Sequence, residues 1–219
     1  FKNNNISYNQ LLYLYTRSFY RDIPLGDALE AHKYYINLTR KKWAAFSLYE
    51  KAISAIALNN YGFKEEARNI LKSLRQYAVT TPEDGMYWPN NRNQYYRNSA
   101  VQIHTAIMEA FILTEGNSAD VNLMKQWLLR QKQVQNWGSV PSTIDAIYTL
   151  LLTGNDLLTT KENLAVRLGS QKLTISGETD PIGYLKRSYS SGDIRPDMLT
   201  VKMTKQTDAP SWGGLYLQY

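Results

Sequence analysis

Residues 127–154, WLLRQKQVQNWGSVPSTIDAIYTLLLTG, decide how the chain is read. Just before and into this stretch, Val121, Leu123, Met124, Trp127 and Leu128 recur at helical spacing and predict a helix over 121–132. Asn136-Trp137-Gly138 interrupts it. Pro141 suits the first turn of a second helix, with Ser142 or Thr143 available as its cap. Ile144, Ala146, Ile147, Leu150 and Leu151 then form its apolar side, and Gly154 supplies a stop. The pattern is an outer helix, a tryptophan-bearing loop and an inner helix.

Two earlier stretches follow the same order. Trp43, Trp88 and Trp137 recur at intervals of 45 and 49 residues. Each follows one helical pattern and precedes another that is richer in alanine and other small residues, at 47–61, 98–114 and 142–152. Two helices per unit of about 45 residues is the period of a helical-hairpin array. We expect the three followers to lie side by side on the inside of that array, with the tryptophans plugging one rim.

Working outward, residues 6–19 predict a helix that is the inner half of a further hairpin. Residues 24–26 read as a loop, and Asp27 as the cap of a helix over 28–41. Helices are predicted at 46–60 and 64–78. The polar loop 80–93 carries Met86, Tyr87 and Trp88 as a plug for the mouth of the bundle. After residue 160 the character changes. Residues 164–168 and 172–175 flank Gly169-Ser170-Gln171 as a hairpin. Residues 184–189, 198–204 and 215–219 are further strand candidates. In them and the hairpin, Leu173, Ile175, Leu199, Val201, Met203, Leu215 and Leu217 are the side chains expected to turn inward. The expected fold is mainly α plus a β segment: helical hairpins over 1–160, then part of an antiparallel β-sandwich over 161–219. A segment of about 60 residues is marginal by itself.

Composition excludes several classes. Of the 219 residues 43% are hydrophobic and 20% charged, as in an ordinary globular chain. No apolar run reaches the roughly 18 residues of a membrane span. The net charge of +6 is dispersed, with only Arg40-Lys41-Lys42 clustered, so no basic stripe suggests nucleic acid. The absence of cysteine removes disulfides, thiolate metal sites and thiol nucleophiles. Phe1-Lys2-Asn3 reads as the interior of something longer.

The search for chemistry finds no assembled site. His32 and His104 lie on separate helical patterns, and His104 sits among Val101, Ile103, Ile107 and Met108 as a packing residue. No HExxH, CxxC, GxSxG or P-loop pattern occurs. Gly213-Gly214 precedes no helix. Glu65-Glu66 and Glu83-Asp84 are adjacent pairs, which diverge on a helix. Asp145 is the one acid on an inner helix considered as facing a cavity, and it is read instead as a solvent-side or capping residue. We therefore expect no catalytic, cofactor-binding or metal-binding residue.

Helix pairs with a tryptophan loop before an alanine-rich inner helix resemble the α/α toroid. That shape is shared by terpene cyclases, protein prenyltransferases and the thioester domain of α2-macroglobulins and complement. Trp137-Gly138-Ser139 together with residues 142–151, STIDAIYTLL, is similar to the end of that domain in bacterial α2-macroglobulin-like proteins. Strands like those at 163–175 and a late segment like APSWGGLYLQY at 209–219 are similar to the CUB-like β-sandwich into which the family's toroid is inserted. The resemblance runs from about residue 46 to the end. The family's Cys-x-Glu-Gln thioester motif is absent here. The resemblance implies a non-catalytic, carboxy-terminal piece of a protease inhibitor of the bacterial periplasm or cell envelope. In that family a bait region is cut and the molecule rearranges around the attacking protease. It implies as partners proteases, met through the intact parent, and other domains of the same chain. Two other functions remain open: a toroid enzyme of cyclase or polysaccharide-active type, which needs convergent acids, or a helical-repeat binding scaffold.

Overall fold

The computed structural model describes residues 3–89, 99–134, 137–153, 164–173, 187–205 and 216. The chain divides into two compact units, Phe1–Thr153 and Gly154–Tyr219.

The first unit contains, among the described residues, seven α-helices: α1 (Tyr8–Ser18), α2 (Leu29–Lys42), α3 (Leu48–Asn60), α4 (Lys64–Gln76), α5 (Ala100–Glu115), α6 (Ala119–Val134) and α7 (Val140–Leu152). Helices α1, α3, α5 and α7 touch in that order and form one row, against which α2, α4 and α6 lie as a second layer. All three segments expected inside belong to the row. Composition explains the assignment. In α3 every residue from Lys51 to Leu58 is buried, and three of them are alanines that let neighbours approach on all sides. In α4 only Ala67, Ile70, Leu71 and Leu74 are buried, one stripe at helical spacing.

Each helix of the row begins at a serine: Ser7, Ser47, Ser99 and Ser139. The hydroxyls of Ser47, Ser99 and Ser139 accept from the amides of Glu50, Gln102 and Ser142. The side chains of Gln10, Glu50 and Gln102 reach back to the amides of Ser7, Ser47 and Ser99. These reciprocal pairs satisfy donors that the first helical turn leaves without partners, each cap being worth about 1 kcal/mol. The cap of α7 is therefore Ser139, not Ser142 or Thr143. Pro141 fits within the first turn, so the helix starts before it. Ser142 is fully buried, its Oγ 2.7 Å from that of Ser99. Asp27 likewise caps nothing: it lies inside a 3₁₀ turn, Gly26–Ala28, that leads into α2.

The polar loop expected at 80–93 begins instead as a hairpin, β1 (Val79–Thr81) paired antiparallel with β2 (Gly85–Tyr87). Gly85 has φ +74, and a Cβ there would stand 2.2 Å from the Leu123 carbonyl oxygen, so only glycine lets β2 lie against α6. Met86 and Trp88 are buried, and Tyr87 stacks on Trp127 with ring centroids 6.1 Å apart. The indole of Trp88 donates to the Leu74 carbonyl of α4 at 2.9 Å, and that of Trp137 to the Leu128 carbonyl of α6 at 3.0 Å. Each indole is buried with its N–H bonded to a second-layer helix. Trp43 differs: it sits in a 3₁₀ turn directly after α2 and is half-buried. Between helices, Arg75 of α4 pairs with Glu115 of α5 and Asp120 of α6, while Arg40 of α2 pairs with Glu66 of α4.

The apolar side expected for α7 is overturned in part. Ala146 is buried, but Val140, Ile144, Ile147, Tyr148 and Leu151 are exposed, Ile144 to 60%. Helix α7 ends the row and packs on α5 through Ser142, Ala146 and Thr149, a stripe of small residues that turns the large ones away.

In the second unit β3 (Leu164–Leu168) lies between β4 (Gln171–Leu173) and β5 (Val201–Lys205), both antiparallel to it. The predicted hairpin is present, with Leu168 opposite Gln171 across Gly169-Ser170. The strand expected at 198–204 begins later, after a 3₁₀ turn at Pro196–Leu199. Leu199, Val201 and Met203 are exposed rather than inward, and Leu173 is half-buried. Among the described residues of this unit the buried pair is Leu168 and Met198. The cause is the turn before β5: Asp197 accepts from both the amide and the hydroxyl of Ser170, which draws Met198 to the hairpin. Residues 187–189 hold no strand, whereas Ile175, Leu215 and Leu217 lie outside the described residues.

Two substitutions test these contacts. Trp137→Ala should cost about 3–5 kcal/mol in chemical denaturation, as for other buried tryptophans; a loss below about 1 kcal/mol would mean that the indole anchors nothing. Gly169 has φ +58, and a Cβ there would come within 2.4 Å of the Asp197 carboxylate. Gly169→Ala should lose about 1–2 kcal/mol from backbone strain alone, seen as faster amide exchange over 164–173.

Candidate functional site on the inner helices

Helix α5 carries one acid in an apolar sequence, HTAIMEAFIL at 104–113. Glu109 is 6% exposed. Its two carboxyl oxygens each stand 3.1 Å from the Tyr15 hydroxyl of α1, and one also accepts from the Tyr148 hydroxyl of α7 at 3.5 Å. Helix α5 thus reaches α1 and α7, two helices that flank different members of the row, through a single side chain.

Burial is the main cause that pushes the Glu109 carboxyl up, to about 7 from the usual 4.5. The two tyrosine hydroxyls pull it down, and the charge of Asp145 adds to the rise. Tyr15 is pushed well above its ordinary range, first by burial and then by Glu109, and Tyr148 is raised for the same reasons. Near neutral pH the carboxyl is divided between its two forms, and its hydroxyl neighbours keep their protons.

Around this centre the row presents further polar groups. Asp145 on α7 accepts from Gln102 Nε2 of α5 at 3.2 Å. It is half-buried and in the second turn, neither a cap nor a fully solvated acid. Tyr8 and Tyr49 stack with centroids 6.0 Å apart. The arrangement can hold and release one proton at Glu109 and offers aromatic rings and amide donors beside it.

The two histidines belong elsewhere. His104 is buried, its Nε2–H donating to the Met124 carbonyl at 3.0 Å and its ring 4.3 Å from that of Trp127. Burial lowers it to about 4, so it stays neutral. His32 lies on α2, away from Glu109 and Asp145, and burial lowers it too, with Arg17 adding to the effect. Neither joins a carboxylate, and among the described residues no group of three or more His, Cys, Asp or Glu could hold a metal ion. Sequence reasoning missed Glu109 because it weighed acids by pairing, and this one is solitary. The available signal was a single charge inside a helix otherwise apolar on every side.

No family model, curated protein or solved structure matches the chain.

The raised carboxyl sets a pH dependence. Unfolded, Glu109 ionises near its usual value; folded, it does so near 7. The stability it contributes is full below about pH 4.5 and is lost as pH rises through 7, a fall of about 3 kcal/mol. Glu109→Gln should lack this term. His104 works in the opposite sense between about pH 4 and 6.5, so the comparison needed is wild type against E109Q at each pH. A difference between them that stays flat from pH 4.5 to 7.5 would show that Glu109 has an ordinary pKa.

Proposed function

We propose that the chain is the carboxy-terminal part of an α2-macroglobulin-like protein, a non-catalytic module of a protease trap of the bacterial periplasm or cell envelope. The observation that carries the reading is the order of parts. Second-layer helices lead to buried tryptophans, then to serine-capped inner helices, and a short antiparallel sheet follows in a second unit. In this reading the row is an arc of an α/α toroid. The exposed apolar stripe of α7 is where that ring meets its next element in the parent, and the sheet is part of a CUB-like sandwich. The partners are proteases, met by the parent as a whole.

The test uses the intact parent. Treated with a broad-specificity protease, it should be cut at a bait region, become more compact, and hold protease that still cleaves a small peptide but not a large protein. Protease that attacks both substrates equally after treatment would end this proposal.

A second reading rests on one observation, a carboxyl raised to about 7 beside Asp145 on the inner helices. A raised carboxyl near a second acid is the equipment of a polysaccharide-active (α/α) barrel. Against it, both Glu109 oxygens are already held by Tyr15 and Tyr148. Incubation with soluble polysaccharides decides: turnover abolished by E109Q would establish the enzyme, and no product is expected.

A further inference from the structure

A cavity of about 370 Å³ opens between the end of α1, the loop that follows it, α2 and the turn joining α3 to α4. Its charged lining is cationic, from Arg17, Arg21 and Lys33, and His32, Asn37 and Tyr61 add neutral polar groups. No carboxylate is among the lining residues. Lys33 pairs at 3.3 Å with Glu30, but both side chains are largely exposed, and that ion pair is weak. Arg17 and Arg21 make their hydrogen bonds to backbone carbonyls, of Ile23 and Asn60, which leaves their charges uncompensated.

Two buried nitrogens at this cavity have no hydrogen-bond partner, Arg17 Nη1 and His32 Nδ1. His32 is only 7% exposed, its ring edge-on to Tyr61 at 5.1 Å and to Tyr13 at 6.1 Å. Leaving such groups unmet is costly in a folded protein, and an oxyanion in the cavity would supply the acceptor that the Arg17 nitrogen lacks. The rest of the wall is apolar, from Leu25, Ile36 and Phe63. A charged end with apolar sides, at a volume within the range of small-molecule sites, defines one kind of guest.

We propose that this cavity binds a small organic anion, its oxyanion head against Arg17, Arg21 and His32 and its apolar body against Leu25, Ile36 and Phe63. The head is a carboxylate or a phosphate ester, each able to accept two donors from a guanidinium. This site stands apart from the proposed trapping function and from Glu109, and does not depend on either.

The experiment titrates the whole chain with benzoate and with phenyl phosphate, and in parallel with their neutral counterpart benzamide. The C–H resonances of the His32 ring report occupancy. At least one anion should bind ten-fold or more tightly than benzamide, and should raise the His32 pKa, because a negative head favours the imidazolium. Which anion binds more tightly identifies the head. Inorganic phosphate should bind more weakly than phenyl phosphate if the apolar wall takes part. Arg17→Gln should weaken the anion ten-fold or more while leaving helical circular dichroism unchanged. If R17Q fails to fold, the double variant R21Q/K33Q, on exposed side chains, replaces it as the criterion. Benzamide binding as tightly as the anions, no binding by either anion at millimolar concentration, or an unchanged Kd in the folded variant would each overturn the proposal.

Discussion

The central constraint is that α3 and α5 are enclosed nearly all the way round. A helix at a surface needs one apolar stripe; a helix inside a row needs apolar or small residues on every side, with most of its polar groups answered locally, Ser54 Oγ, His104 Nδ1 and Thr114 Oγ1 being left without partners. In α3 that means alanine at 52, 55 and 57, and Lys51 with its ammonium 3.3 Å from Ser73 Oγ and 4.8 Å from the Tyr77 ring centre. In α5 it means His104 bonded to a carbonyl, Thr105 bonded back to Gln102, and Glu109 bonded to two tyrosines. The row helices also share a serine at their heads. Amides in a first turn have no partner within the helix, and Ser47, Ser99 and Ser139 supply a side-chain acceptor. Ser99 and Ser142 meet because two such helix starts lie side by side.

The tryptophans follow from the same geometry. Where the chain passes from a second-layer helix to a row helix, a large gap must be filled without burying an unmet donor. Trp88 and Trp137 fill it and give their N–H to carbonyls of α4 and α6. Trp88 also stands edge-on to His104, whose ring touches Trp127, so the aromatic groups of two hairpins merge into one cluster with Phe111. That merging makes the core continuous along the row instead of one small core per hairpin.

What could be read from the sequence is what depends on local period. The row helices, α4 and the tryptophan loops are set by residues within a few turns of one another, and so is the turn at Gly169-Ser170. What could not be read depends on position in the assembly. Ile144 and Ile147 have the pattern of core residues, yet α7 is at the end of the row and presents small residues to α5. Leu199, Val201 and Met203 alternate with polar neighbours as a half-buried strand does, but alternation does not say whether a face is covered. The β1–β2 hairpin escaped notice because its strands are three residues long and it is held by α6 as much as by its own pairing. The short motif Ser-x-x-Glu/Gln at 7–10, 47–50 and 99–102 reports the cap itself at three of the four row helices, although it also occurs at 73–76 inside α4 and is absent at 139–142. Glu109, Tyr15 and Tyr148 are far apart in sequence, and no local period joins them.

Helix α1 shows how one element serves two unlike environments. Leu11, Leu14 and Ser18 face the core, spaced three and four residues apart. Tyr15 and Arg17 lie on either side of that stripe, two residues apart and so about 200° around the axis from each other. Tyr15 turns toward Glu109 in the row, where burial favours a neutral carboxyl. Arg17 turns toward α2 and the cavity, where its charge disfavours protonation of His32. The two sites share a backbone but no side chain, and opposite charges define them: an excess of acid at one and an excess of base at the other. A change that rotates α1 about its axis would disturb both at once, whereas a side-chain change at either position leaves the other intact. The core stripe fixes that rotation. Leu14 is 2% exposed and its carbonyl accepts from the Tyr61 hydroxyl, which itself borders the cavity. The packing of α1 on α3 is thereby the element that holds the acid site and the basic cavity in register.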